Sequence, residues 1–338
     1  MRTFFSPAQL AHAPTRELHN GDWVPYAETP ARAEAILAAI GGAEPAVDHG
    51  DAPILAIHDT AYVAFLRAAH DRWLAAEREG DAIGYAFPVV RRRPLKLDRI
   101  DALLGLHGFD ASTPIAAGTW ASAYASAQTA LTALDAVLGG DRAAFALCRP
   151  PGHHAGADYC GGYCHLNAAA IAAQAARDAD PERGCARVAI LDTDYHHGNG
   201  TQDIFWNRDD VFYASIHADP ATDYPFFWGH ADERGEGPGA GATLNLPLPH
   251  GTSVDDYARA LDAALGAIAA FGLDLLIVSH GADTWAGDPI SHFALQTADY
   301  TRLARTIAGC AWPTLVVMEG GYALDALGAN VASFLAGF

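Results

Sequence analysis

Residues 191–200 read LDTDYHHGNG, two carboxylates and two imidazoles directly behind an apolar run. Asp194 and His196 are two apart, and in an extended segment their side chains point to the same side. A third carboxylate, Asp283 in GADTWAGDP (281–289), follows another apolar run. One neutral imidazole with two carboxylates binds a divalent cation and leaves a position open for water. Such a set suits zinc or ferrous iron and needs no cysteine. The alternative is an Asp–His hydrogen-bonded pair holding a turn, and for D-x-H taken alone it is the better one. Asp283, equally placed, tips the reading to metal.

The tandem His153–His154 follows Pro-Pro-Gly, a rigid turn that cannot continue a strand. Two adjacent imidazoles suit a general base and its electrostatic or proton-transfer partner. Asp192 lies deeper: it can orient a catalytic histidine through Nδ1–H, cap the strand end, or help bind a monovalent cation. Tyr322, in MEGGYALD, follows two glycines that let the chain approach a site closely. Its phenol can donate to a developing oxyanion, or simply pack after the turn. His197 is expected to face away from the metal and to pack or bond to backbone. The Gly-rich GEGPGAGA (235–242) lacks the register of a nucleotide loop. Cys160, Cys164 and His165 have the spacing CxxxCH rather than CxxCH and read as loop packing.

These residues need elements to position them. Apolar runs FALC (145–148), VAILD (188–192), VFYASI (211–216), LLIVS (275–279) and TLVVM (314–318) are short and not alternating, as in strands buried on both faces. They alternate with Ala-rich helical patterns at 31–40, 120–138 and 166–179. Strand-then-helix alternation predicts an α/β domain with a parallel sheet and helices on both faces. One domain over 1–338 is the simplest division. Each run is followed by polar residues: RPPGHHAG, LDTDYHHGNG, HADP, HGADTWAGDP and EGGY. In open α/β sheets ligands bind outside the carboxyl ends of the strands, so five segments deliver their chemistry to one edge.

Composition sets the outer limits. The net charge of −19 argues against DNA or RNA as a partner and slightly favours a cationic small molecule. Five scattered cysteines form no disulfide framework and point to a reducing cytoplasm. No apolar run approaches a membrane span, and the N-terminus reads as mature sequence rather than a signal peptide.

RPPGHHAG, GGYCHLN, LDTDYHHGNGTQDIF, GADTWAGDP and MEGGY together resemble the zinc-dependent histone deacetylase superfamily, most closely its bacterial acetylpolyamine amidohydrolase branch. The likeness runs from TRELHNGDWVP to the C-terminal helix. It implies an arginase–deacetylase fold with a parallel sheet of about eight strands. It implies zinc, with iron as an alternative, on Asp194, His196 and Asp283. His154 would be the principal base and acid and His153 its partner, supported by Asn199 and Asp192 respectively. Tyr322 would polarise the acyl carbonyl, while Tyr163 and Tyr224 would wall the substrate tunnel. Asp192, Ser215 and Ile216 would line a structural potassium site.

The same resemblance implies a small acetylated amine as substrate, such as acetylputrescine or acetylcadaverine. Glu17 and Asp101 match acidic positions that would meet its distal ammonium. Residues 80–115 would be an inserted loop that makes a homodimer and narrows the entrance. A protein acetyl-lysine deacetylase or longer-chain deacylase is the nearest rival. An arginase-like ureohydrolase would need further metal ligands, and an amine-binding sensor retaining the fold is the non-enzyme alternative. Two positions depart from the pattern: His280 stands where leucine is usual, and Ala168 where a second polar residue is usual. His280 reads first as a satisfied buried imidazole.

Overall fold

The apolar runs become parallel strands with no exposed face. A computed structural model describes residues 1–88, 96–179 and 184–338. Its first strands are β1 (Arg2–Phe5), β2 (Arg16–His19), β3 (Asp22–Pro25), β4 (Glu44–Pro45) and β5 (Ala143–Ala146). They are followed by β6 (Val188–Asp192), β7 (Val211–Ala218), β8 (Thr243–Leu248), β9 (Leu275–His280) and β10 (Thr314–Met318). The helices of the N-terminal half are α1 (Ala31–Ile40), α2 (Ala52–Leu55), α3 (Thr60–Ala75), α4 (Ile100–Leu106) and α5 (Thr119–Leu138). Those of the second half are α6 (Ala168–Asp178), α7 (Asn199–Phe205), α8 (Val254–Phe271), α9 (Thr297–Gly309) and α10 (Leu324–Leu335).

Eight strands form one parallel sheet in the order β4-β1-β5-β10-β9-β6-β7-β8, and β2 and β3 pair as a separate antiparallel hairpin. On one face α3, α5 and α6 bury an Ala-rich layer; on the other α1, α8, α9 and α10 bury a second core. Ile190, Leu191, Ile277, Val278, Val316 and Val317 are all 0 % exposed. Burial of each such side chain stabilises by about 1.5–3 kcal/mol relative to exposure, which makes the central strands a rigid platform.

The register aligns the strand ends. Asp192 pairs with Ser215 on β7 and with Ser279 on β9, and Met318 on β10 pairs with His280. The loops after β6, β9 and β10 therefore start side by side at the centre of the sheet. β6 and β10 span the residues that the sequence predicts. β5 begins and ends two residues earlier than the predicted 145–148, because Cys148 N turns back to Ala146 O (2.9 Å) as the chain leaves the ladder. Three strands of the sheet were not separately readable. β1 and β4 are very short, and β8 is an edge strand that alternates buried and half-buried residues and tolerates Pro247. The segment 80–115 contains α4, and its residues 89–95 lie outside the described residues.

Candidate active site

Side chains from the loops after β6 and β9 converge at the carboxyl edge. His196 Nδ1 lies 3.3 Å from Asp194 Oδ1 and 3.3 Å from Asp283 Oδ2. A tetrahedral zinc ion with N and O ligands has ligand–ligand edges of roughly 3.3 Å, so both spacings match an edge of such a site, and one ligating atom from each residue lies within 4.8 Å of the other two. Asp194 and Asp283 are buried and the His196 side chain is 11 % exposed, and Asp283 Oδ2 has no hydrogen-bond partner among the described residues. Burial and the neighbouring Asp194 push the Asp283 carboxyl up to about 7, the direction expected of two carboxylates sharing a site. The donor set fits a divalent ion.

The carboxylates are held by backbone: Gly320 N donates to Asp194 Oδ2 (2.8 Å) and Tyr195 N to Asp283 Oδ1 (3.0 Å). A Cβ at Gly320 would lie 2.4 Å from Asp283 Oδ2, and one at Gly281 2.1 Å from Asp194 Oδ2, so both positions demand glycine. One local expectation is corrected. Residues 193–198 are a turn rather than an extended segment, and His196 N donates to Asp194 Oδ1 (2.9 Å). That turn, not strand alternation, brings the two ligands to the same side.

His153 and His154 lie beside this group with ring centroids 4.0 Å apart, yet they differ in their partners. His153 Nδ1 is 3.0 Å from Asp192 Oδ2, which also accepts from Tyr213 Oη (3.0 Å). Burial opposes charge on His153, but Asp194 and Asp192 outweigh it and push the imidazole up to about 10. His154 Nδ1 is 2.7 Å from Asn199 Oδ1, a neutral partner. Burial, His153 and His196 hold His154 well below the usual histidine range. Ser215 Oγ pairs with His217 Nδ1 (2.8 Å), and Ile216 is fully buried beside it.

A cavity of about 500 Å³ opens from this edge, lined among others by His154, His196, Tyr163, Tyr224, Tyr322 and Glu17. Burial raises the Tyr322 phenol well above its usual range and keeps it a neutral donor. Tyr163 Oη donates to Glu17 Oε1 (2.9 Å), and the β2–β3 hairpin carries Glu17 to this wall. Tyr224 packs edge-on to His154 with centroids 5.1 Å apart. Asp101 is not brought to this cavity. It lies on α4, where its carboxylate pairs with Arg78 (2.6 Å) and Arg99 (2.9 Å).

Several supporting residues had no signal of their own in the sequence. Asp288 Oδ2 accepts from Tyr322 N (2.7 Å) and Ala323 N (3.2 Å), so the GDP turn after Asp283 sets the tyrosine loop. Asp110 accepts from Tyr224 Oη (2.8 Å) and Gly162 N (2.6 Å), tying two cavity walls together. Glu319 Oε2 accepts from Gly152 N (2.6 Å) and His153 N (3.1 Å), fixing the tandem-histidine loop to the tyrosine loop. Arg32 donates to the carbonyls of Glu319 and Gly321, both at 2.6 Å, and its guanidinium lies 4.8 Å from the Tyr322 ring centroid. The only legible hint was that Asp288 and Glu319 fall inside the motifs GADTWAGDP and MEGGY.

Other expectations resolve locally. His197 packs, as expected, against the rings of Tyr213 and His217, and its hydrogen bond goes to the Gln202 side chain (3.1 Å) rather than to backbone. His280 is buried, with Nδ1 3.1 Å from Thr193 Oγ1 and its ring stacked 3.7 Å from Phe334, but Nε2 has no partner among the described residues. It is half satisfied rather than satisfied. Ala168 is the buried first residue of α6, whose N-cap Asn167 already accepts from Ala170 N (2.9 Å). Cys160 and Cys164 are buried and bond backbone carbonyls of His107 and Gly162.

A parallel α/β sheet with a buried Asp/His/Asp group and tandem histidines at its carboxyl edge defines a metal-dependent hydrolase class. Residues 26–338 match the histone deacetylase domain, and the chain belongs to that family of amide-bond hydrolases, which is metal-dependent. It is 48 % identical over 346 residues to acetylpolyamine amidohydrolase 1 of Pseudomonas aeruginosa, covering 100 % of this chain and 99 % of that one. It is 47 % identical over 342 residues to the acetylpolyamine amidohydrolase of Mycoplana ramosa, covering 100 % and 99 %. The crystal structure of the acetylpolyamine aminohydrolase from Burkholderia pseudomallei superposes with a TM-score of 0.94 at 44 % identity, over 100 % of this chain and 98 % of that one.

Proposed function

We propose that this protein deacetylates small acetylated amines carrying a second, distal ammonium, such as acetylputrescine or acetylcadaverine. The observation that carries the reading is a cavity with His154 and Tyr322 beside the Asp194/His196/Asp283 group and a carboxylate, Glu17, on its wall. The named relatives act on acetylpolyamines, which supports the same substrate class here.

A zinc ion on Asp194, His196 and Asp283, or ferrous iron in its place, would supply Lewis acidity to the acyl oxygen and lower the pKa of water towards about 7. The residues of the chain do the rest. Tyr163 and Tyr224 align the alkyl chain between aromatic faces. His154, with Nδ1 bonded to Asn199, accepts the proton of the attacking water at Nε2. The water oxygen bonds to the acyl carbon, and the Tyr322 hydroxyl donates to the carbonyl oxygen as it gains charge. His154 then gives its proton to the amine nitrogen as the C–N bond breaks, leaving acetic acid and the free amine, and transfer of the remaining acid proton to the amine ends the reaction as acetate and an ammonium. His153, held by Asp192, contributes positive charge beside these steps.

The structural potassium site on Asp192, Ser215 and Ile216, the homodimer through 80–115 and a cytoplasmic location belong to the same reading. Asp192 and Ser215 are register partners, five free cysteines suit a reducing compartment, and no described helix is long and apolar enough to cross a membrane. A panel of acetylputrescine, acetylcadaverine and an acetyl-lysine peptide tests the substrate. Turnover of the diamines no better than of the peptide would overturn it in favour of a protein deacetylase.

A further inference from the structure

At the rim of the cavity a second group of potential ligands comes together, none of them shared with the Asp194/His196/Asp283 group. Asp223, which precedes Tyr224, is 9 % exposed, while His250 and His292 are exposed at the turns before α8 and α9. One ligating atom from each lies within 4.8 Å of the other two. His250 Nε2 is 2.5 Å from Asp223 Oδ2, and the rings of His250 and His292 lie 4.5 Å apart, centroid to centroid.

The group is built on pinned loops. Gly251 N donates to His292 O (2.7 Å) and Ala294 N to Thr252 O (3.0 Å), which locks the two histidine turns together. Asp223 is held in place by Tyr195 Oη (2.6 Å) and Thr222 Oγ1 (2.7 Å). A hydrogen-bonded Asp–His pair accounts for Asp223 and His250 but not for His292, whose ring makes no side-chain hydrogen bond among the described residues. We propose that Asp223, His250 and His292 form an outer binding site for a divalent transition-metal ion of the zinc class.

The donor chemistry selects the ion. Two imidazoles and one carboxylate suit zinc, cobalt or nickel, whereas calcium and magnesium take oxygen ligands. The half-exposed His250 ring can carry its proton on Nδ1, which frees Nε2 for the metal beside Asp223. Both exposed histidines can rotate to close the remaining gap, and water completes the coordination. The site lies on the substrate's way in, since Asp223 and His292 both line the cavity. Tyr195, which bonds Asp223 through Oη and Asp283 through its backbone N–H, connects the outer group to the inner one.

The test is a calorimetric titration of Zn2+ into holoenzyme already carrying its tightly bound metal, repeated with Mg2+. The parent should take up one further equivalent of Zn2+ and none of Mg2+. His250→Ala and His292→Ala should each bind that equivalent at least about tenfold more weakly. Thermal unfolding supplies a second readout, since added Zn2+ should raise the Tm of the parent and leave both variants unmoved. Absence of a further equivalent in the parent, or its retention in both variants, overturns the site.

Discussion

His154 Nδ1 lies 2.7 Å from Asn199 Oδ1, whereas its neighbour His153 meets the carboxylate of Asp192 at 3.0 Å. An amide oxygen accepts Nδ1–H without adding charge, so it leaves His154 neutral with Nε2 as its free base. A carboxylate instead favours the protonated ring, and the same side-chain type takes opposite states one residue apart. Asn199→Ala should lower kcat by about 10–100-fold at unchanged metal content. Single-turnover kinetics with metal analysis checks this; a variant that loses its metal would mean that Asn199 holds the fold of the site instead.

Asp283 completes the ligand set with an oxygen that has no hydrogen-bond partner among the described residues. Protein freed of loosely bound metal should retain about one zinc per chain, the single fourth position staying open for water. Asp283→Ala should lose both metal and activity, and chelation of the parent should abolish activity that zinc restores. Elemental analysis alongside turnover is the check.

Tyr322 is kept neutral by burial and is positioned by Asp288. Tyr322→Phe removes a donor to the developing oxyanion and nothing else, and should cost about 10²–10³-fold in kcat with KM nearly unchanged. Equal losses in KM would show that the hydroxyl binds the ground state too.

Burial pushes Glu17 up to about 7 against the opposing bond from Tyr163. A carboxyl with a raised pKa is ionised above that value and neutral below it. In the proposed function, its attraction for a distal ammonium would therefore be present at high pH and lost as the pH falls through 7. KM for an acetylated diamine should rise by about tenfold from about pH 8 to about pH 6 through this one group. Glu17→Gln should flatten that profile, and a substrate with an uncharged tail should not follow it.

His280 is buried and held near pKa 3 by burial, far below an exposed histidine. Its folded-state pKa is depressed, so its neutral form is fully compatible with folding above the unfolded value of about 6.5. Stability is lost as the pH falls from there towards 3, because the unfolded chain takes up the proton first. His280→Leu should show a Tm advantage over the parent that widens between about pH 6 and about pH 4. Parallel melting curves would count against the buried-neutral assignment.

Fold class and the edge that carries the chemistry were legible because both are local. An unbroken apolar run marks a strand buried on both faces, and the polar residues behind it must emerge at that strand's carboxyl end. Asp194, His196, Asp283, His154 and Tyr322 could thus be grouped before any contact was known. The pairs His154–Asn199 and His153–Asp192 were expected from the family resemblance, but the other contacts between segments distant in sequence were not legible. Glu319 reaches Gly152, Asp110 reaches Tyr224, and Asp288 reaches Tyr322, each across a separation that no spacing rule encodes.

Tertiary structure also decided which of these acids lines the cavity. Glu17 and Asp101 look alike in sequence, but a hairpin places one against Tyr163 and α4 places the other between two arginines. It alone gathered Asp223, His250 and His292 from three turns. The sequence determined the kinds of donor and the strand ends that carry them; the packing of the loops decided which donors meet, because only the folded chain fixes distances of a few ångströms between residues far apart along it.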